Sequence, residues 1–533
     1  MVNIMKNLFK SFKQRKWQCG LFLFILSSLS VSCNKMVDID SYHAASEEQE
    51  WNKVEDARAG LMGIYGLTRA ALVENNGHWL NGDLRAGDFT VAKRAQSESQ
   101  LRAILQNKLF QTYPMFEQMA NWRRFYAAIN AAAVFIERAP QIVDRDRSYS
   151  ESNLELDIAQ ARALRAFNYF YMVRIWGDVP LITKSFDNGS FQEFPRTDFR
   201  KVLSYAKNEL LAVLPVLPFE FGSEVNQYYG RNPDQWRGMA FNKIWAYACL
   251  AHIAAWEGNY ADVETYTKFI LDNQEQIFAE FTPIESLVRP TTSGFFNSET
   301  NANLRASKII AFNSPSVDNR AAENTQSGHL EQLTLAYPFV RKTYPDIYVS
   351  KDSLYAIFNE MDDLRFGVDT VTFLYHANYV YNMNTDIPIF SKIKVVQNGT
   401  NSDGDYAVFG SALVFTRLEE ISLLRAEALV ALNRGVDAVS PFNTVRKSRG
   451  LPNKSYLKDF GQDDTQLLNA IFEERRKELM GEGWRWYDLI RRQKLLRDDS
   501  GLLELIEKDG IYWPVAKSVL AANSQITQNN YWK

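Results

Sequence analysis

The stretch Asp157–Trp176 constrains the fold most. Ile158, Ala161, Ala163, Leu164, Phe167, Phe170, Tyr171 and Ile175 spread over more than one stripe of a helix. A helix that is apolar around most of its circumference must be covered on several sides. Gly177-Asp178-Val-Pro180 stops it, with glycine and proline in their usual terminating roles. A second helix is predicted from Asp198 to Leu214, ending before Pro215. The same grammar recurs twice. Trp236–Trp256, then Glu257-Gly-Asn-Tyr-Ala261 and a helix to about Asn273, reads as one αα-hairpin. Thr416–Asn433, Arg434-Gly435 and Val436–Ser448 read as another, and Arg425-Ala-Glu-Ala-Leu-Val-Ala-Leu432 offers small residues where a neighbouring helix must approach. Units of about 34 residues with this pattern suit tetratricopeptide-like pairs, which bury their faces only by stacking. Periodicity alone leaves an irregular α-bundle open as the alternative.

Size points the same way. A chain of 533 residues exceeds what one compact core supports, yet no Pro/Gly/Ser-rich linker or charge block divides it beyond a short stretch at 34–46. A mostly α, extended stack is therefore expected. From about Phe278 to Gly410 the helical pattern breaks into short runs rich in Asn, Thr, Ser, Gly and aromatics, with Ser307–Phe312 reading as a strand. A long irregular insertion on a rigid frame is where binding usually resides.

The amino terminus sets the compartment. Lys6, Lys10, Lys13, Arg15 and Lys16 precede Leu21-Phe-Leu-Phe-Ile-Leu-Ser-Ser-Leu-Ser-Val-Ser-Cys33. A basic head, a short apolar run and small residues form an export signal, and the run is too short to span a bilayer. The cysteine directly after the small residues makes it resemble a bacterial lipoprotein signal: residues 1–32 removed, Cys33 lipidated, 33–46 a tether and 47–533 the body. An ordinary secreted protein beginning with cysteine is the alternative. Of the three cysteines only Cys249 then remains, so the core must hold by packing, and Cys249 reads as a small buried residue. A net charge of −3 gives no electrostatic reason to expect nucleic acid.

Several blocks, in order, resemble the SusD/RagB family of Bacteroidetes surface lipoproteins. They are Ala57-Arg-Ala-Gly-Leu-Met-Gly-Ile-Tyr65, Trp122-Arg-Arg-Phe-Tyr-Ala-Ala-Ile-Asn130, and Ala161–Phe170 through Gly177-Asp-Val-Pro-Leu-Ile182. Further along come Arg417-Leu-Glu-Glu-Ile-Ser-Leu-Leu-Arg-Ala-Glu-Ala428, Glu474-Arg-Arg-Lys-Glu-Leu479, Gly483-Trp-Arg-Trp-Tyr-Asp-Leu-Ile-Arg491, Tyr512-Trp-Pro-Val515 and Gln528-Asn-Asn-Tyr-Trp532. The resemblance implies four tetratricopeptide-like helix pairs forming a right-handed superhelical scaffold for a loop-rich, ligand-binding region. It also implies a lipid-anchored, surface-exposed place on the outer membrane, over a SusC-like TonB-dependent transporter. The implied job is to capture an oligosaccharide as a lid on that transporter, without catalysis. A lid for peptides or another nutrient, and a surface glycoside hydrolase, are the alternatives.

Sugars stack their C–H faces on aromatic rings and hydrogen-bond through their hydroxyls, so a site needs exposed aromatics beside polar groups. His78-Trp-Leu-Asn-Gly-Asp-Leu-Arg-Ala-Gly-Asp88 supplies that mixture in what reads as a loop, and the resemblance points to the same stretch. Trp79, Asn81, Asp83 and Arg85 are the first candidates, with loop packing as the competing explanation. Phe296, in Phe295-Phe296-Asn297, and Tyr375, Tyr379 and Tyr381 follow, although alternation at Tyr379 and Tyr381 equally marks one face of a short strand. Glu473, Glu474 and Glu478 are interleaved with Arg475, Arg476 and Lys477 and read as ion pairs along one helix, not as a glycosidase pair. Trp484 and Trp486 are expected to be buried, and Gly60, Gly63 and Gly66 to mark a close helix contact. Five scattered histidines lack zinc-ligand spacing. No cofactor is expected; a structural calcium at loop carboxylates is left open, with nothing in the sequence to indicate it.

Overall fold

Twenty-six residues, Glu151–Trp176, form the longest helix, and its environment explains its composition: nearly every side chain from Ala159 to Trp176 is buried. The computed structural model describes residues 51–95, 97–110, 113–186, 192–223, 227–313, 328–396 and 407–533. The signal segment, the tether and Cys33 lie outside the described residues. Lys53–Lys533 form one unit.

Helices run in sequence as α1 (Val54–Val73), α2 (Gly77–Gly82), α3 (Arg123–Arg138), α4 (Glu151–Trp176), α5 (Phe199–Val213), α6 (Lys243–Glu257) and α7 (Tyr260–Asp272). After the irregular region come α8 (Leu418–Ala431), α9 (Gly435–Ser448), α10 (Asp464–Glu478) and α11 (Arg485–Leu496). Four pairs, α1/α3, α4/α5, α6/α7 and α8/α9, stack in series through α3–α4, α5–α6 and α7–α8 contacts, and α10 closes the last pair. Five of these helices begin on a polar side-chain cap. The side chains of Ser150, Asp198, Asn242, Asn259 and Asp463 accept hydrogen bonds from the first-turn amides of α4, α5, α6, α7 and α10. Gly177 ends α4 with φ +70°, and the Tyr512 ring lies where a Cβ would stand.

Helix–helix contacts are built from small and branched residues, as the stacked reading requires. Ala251, Ala254, Ala255 and Val263 of the third pair meet Leu424 and Ala428 of the fourth. Leu423, Ala426, Leu429, Phe442, Val445, Leu467, Ile471 and Phe472 form the core beyond it. Cys249 is buried, and burial pushes its thiol up.

Three sequence expectations change. The helix expected from Trp236 begins at Lys243, because Gly238 turns at φ +64° against the Arg305 backbone and Asn242 then caps. Gly63 and Gly66 make no close helix contact: the space around each is open. The carboxylates of α10 pair chiefly with other elements, not along their own helix. Glu478 receives Arg417, Arg449 and Arg365, and Glu474 receives Arg365 and Arg446.

Short antiparallel pairs form within the irregular region or tie it to the flanking chain. β1 (Thr90–Val91) pairs with β3 (Ile347–Tyr348), and β2 (Ile310–Phe312) with β8 (Leu413–Thr416). β4 (Gly367–Val368) pairs with β5 (Tyr375–His376), and β6 (Val380–Tyr381) with β7 (Ile389–Phe390). Buried ion pairs fasten this region to the last helices. Lys392, just beyond β7, donates to Glu482 Oε1 at 2.5 Å and to the Glu478 and Met480 carbonyls. Arg417 bonds the same Glu482 carboxylate through Nε at 2.9 Å and Nη2 at 2.8 Å. Among the described residues no helix is long and apolar enough to cross a membrane.

Candidate functional site

The stretch expected to be an exposed loop is mostly buried and largely helical. Gly77–Gly82 is helix α2, followed by a 3₁₀ turn at Leu84–Ala86, and Trp79, Asn81, Asp83 and Arg85 are all buried. The cause is a close backbone approach: a Cβ on Gly82 would fall 2.0 Å from the Gly483 carbonyl oxygen. Asp83 accepts from the Gly483 amide at 2.7 Å. Burial pushes its carboxyl up to about 8 despite that hydrogen bond. Arg85 donates to the Ile511 and Gly510 carbonyls at 2.6 and 2.9 Å and to Asn107, and its guanidinium lies 4.3 Å from the centroid of Trp486. His78 bridges the Tyr171 hydroxyl and the Glu482 carbonyl at 2.8 and 3.0 Å. These groups join the amino-terminal block to the Gly483–Arg491 signature, so loop packing wins over ligand contact here.

The remaining candidates divide. Phe296 is buried, edge-on to Phe295. Tyr379 is buried below β6, its amide donating to the Arg365 carbonyl and its ring facing Lys392. Tyr375 is 40% exposed but lies against Phe366 on the β4–β5 hairpin. Tyr381 is 42% exposed and packs edge-on to Phe339. Tyr379 and Tyr381 therefore do not share one exposed face. Trp484 and Trp486 are buried as expected, and Trp484 Nε1 donates to the Phe415 carbonyl.

An open cleft of about 490 Å³ lies beside Tyr381. That volume falls in the range of small-ligand sites. Three segments line it: Ala92, Lys93 and Arg94; Tyr337 with Thr343, Tyr344 and Pro345; and Asn382, Thr385, Asp386, Ile387 and Ile389. Tyr337 is 66% exposed and Tyr344 44%, so both rings offer surface to an incoming molecule. Asn382, Thr385 and Asp386 are exposed beside them.

Each wall is held from below. The β1–β3 pairing continues as Ala92 N–H to the Asp346 carbonyl at 2.9 Å, which fixes the Lys93–Arg94 turn. The Tyr337 amide donates to the Lys342 carbonyl at 2.7 Å, and Lys342 Nζ in turn donates to Asp346 at 2.6 Å and to the Gln332 carbonyl. Burial lowers the Lys342 ammonium. On the β6–β7 hairpin, the Thr385 hydroxyl donates to the Asn382 carbonyl at 2.8 Å, shaping the turn. Ile389 joins Leu335, Ala336, Val340 and Phe409 in an apolar cluster under the floor. The result is a preformed, partly aromatic recess with hydrogen-bonding rims. Its one sequence signal was a pair of Tyr-Pro dipeptides, Tyr337-Pro338 and Tyr344-Pro345, which place aromatics in turns. Among the described residues no cluster of His, Cys, Asp and Glu suits a metal ion.

A crystal structure of a SusD superfamily protein from Bacteroides thetaiotaomicron VPI-5482 is 55% identical, with a TM-score of 0.82, covering 91% of this chain and all of that one. The chain belongs to the SusD family. The SusD family model itself matches residues 376–532, which hold the β6–β7 wall of the cleft and helices α8–α11. SusD-like protein P38 from Formosa agariphila is 26% identical over 539 residues, 96% of this chain and 98% of the relative. A laminarin-binding SusD-like protein shares the fold at 20% identity and a TM-score of 0.67, covering 90% of this chain and 99% of that one.

Proposed function

We propose that this SusD-family chain is a cell-surface binding protein that captures an oligosaccharide in the Tyr337–Tyr344 cleft. It delivers the sugar to a SusC-like TonB-dependent transporter of the outer membrane, and a lipid on Cys33 keeps it there. One observation carries the reading: two tyrosine rings stand exposed in a recess whose rims are Asn382, Thr385, Asp386, Lys93 and Arg94. Aromatic faces beside hydroxyl-binding groups are what sugar rings require. The laminarin-binding relative of the same fold supports the ligand class.

Binding is favoured over hydrolysis by the carboxylates. Among the described residues Asp386 is the one acidic residue lining the cleft, whereas glycoside hydrolysis uses two carboxyls about 5 to 9.5 Å apart. Glu474 and Glu478 are buried among arginines, away from solvent.

Affinity electrophoresis of the full chain through gels containing single polysaccharides, with product analysis of the same mixtures, tests this. Retardation by at least one glycan without released sugars is the expected result. Retardation by none, or steady product formation, contradicts it.

A further inference from the structure

We propose that the cleft selects acidic oligosaccharides, with Lys93 and Arg94 receiving a carboxylate or sulfate group on the sugar. This rests on the cleft being the glycan site. The two cations occupy the corner of a turn whose ends are fixed: the Ala92 amide donates to the Asp346 carbonyl, and the Ala95 amide to the Ala92 carbonyl at 3.1 Å. Both side chains are exposed and both line the cleft. Among the described residues no carboxylate pairs with either.

Neighbouring cations behave differently. Lys342 is matched by Asp346 at 2.6 Å, Arg102 by Glu98 at 2.7 Å and Arg476 by Asp88 at 2.6 Å. The chain as a whole is acidic, with a net charge of −3, so a positive rim here does not follow from composition. Among the described lining residues only Asp386 offsets the two positive charges. A guanidinium and an ammonium side by side can grip an oxyanion through charge-assisted hydrogen bonds. Tyr337 and Tyr344 meanwhile take the C–H faces of the rings, which favours a glycan over an acidic peptide. The charge surplus thus orients the sugar, placing its acidic group against the turn that follows β1.

Calorimetric titration of the full chain tests the assignment with four probes: an oligogalacturonate, a sulfated galactan oligosaccharide, a neutral β-glucan oligosaccharide and oligoglutamate. At least one acidic sugar is expected to bind more tightly than the neutral one. Its affinity should fall with rising salt, and Lys93→Ala with Arg94→Ala should lower it about 10-fold or more. The oligogalacturonate and galactan arms tell carboxylate from sulfate. Equal binding of the acidic sugar by the double variant, or preference for the neutral sugar or for oligoglutamate, overturns the inference. Neutral-sugar binding alone leaves the capture reading standing, whereas silence from every glycan removes both.

Discussion

The Asp83 carboxylate accepts a hydrogen bond from the Gly483 amide at 2.7 Å, joining positions 400 residues apart. Burial pushes that carboxyl up to about 8, above the ordinary value of about 3.9 expected in the unfolded chain. Between those values the folded protein holds the extra proton, so this group lowers stability as pH rises from about 4 to 8. Asp83→Asn should remove that slope. In urea denaturation at pH 5 and pH 9, the wild type should lose on the order of 4 kcal/mol more than the variant between the two. Equal losses would contradict the assignment.

Glu478 behaves in the opposite sense. Burial alone would raise its carboxyl, but Arg449, Arg417 and Arg365 outweigh it and hold the group well below the usual range. Its stabilisation is therefore present above the unfolded value and is lost only as pH falls through the lower folded one. Glu478→Gln leaves three buried guanidiniums short of a charge and should cost about 3–5 kcal/mol. The readout is the denaturation midpoint at pH 7. A cost under about 1 kcal/mol would mean that the cluster is solvated.

Trp79→Ala should act on the fold and not on the ligand. The ring is buried, edge-on to His78, and removing such a side chain costs about 3–5 kcal/mol. Thermal unfolding should shift sharply downward while the folded fraction keeps its glycan affinity. Lost affinity with unchanged stability would return the site to this stretch.

Tyr337→Ala and Tyr344→Ala should do the reverse. Each removes an exposed ring, so stability should stay within about 0.5 kcal/mol. Glycan affinity should drop about 5-fold for each, the equivalent of about 1 kcal/mol of stacking. Calorimetry with each purified variant gives both numbers from one preparation.

Much of the scaffold was legible because its signals are local. The α4 stop at Gly177, the α5 cap at Asp198 and the turn through Gly258 each depend on residues beside them. The candidate site was mostly illegible for the opposite reason. Trp79, Asn81, Asp83 and Arg85 have the composition of a sugar site, and only the arrival of Gly483, Gly510 and Ile511 from the far end buries them. The cleft is likewise assembled from residues near 93, 340 and 385, and no pattern within one segment announces the other two. Tyr381 came nearest, standing one position before the lining residue Asn382. Glu474 and Glu478 show the same limit: their spacing suggested pairing along α10, but their partners come from β4, α8 and α9 surroundings.

The most direct measurement is a crystal structure of the protein soaked with an oligosaccharide that it binds in solution. Sugar density lying across Tyr337 and Tyr344, with hydroxyls toward Asn382 and Asp386, is the result this account requires. Density seated elsewhere, against Tyr375 for example, with the cleft left to solvent, would contradict it.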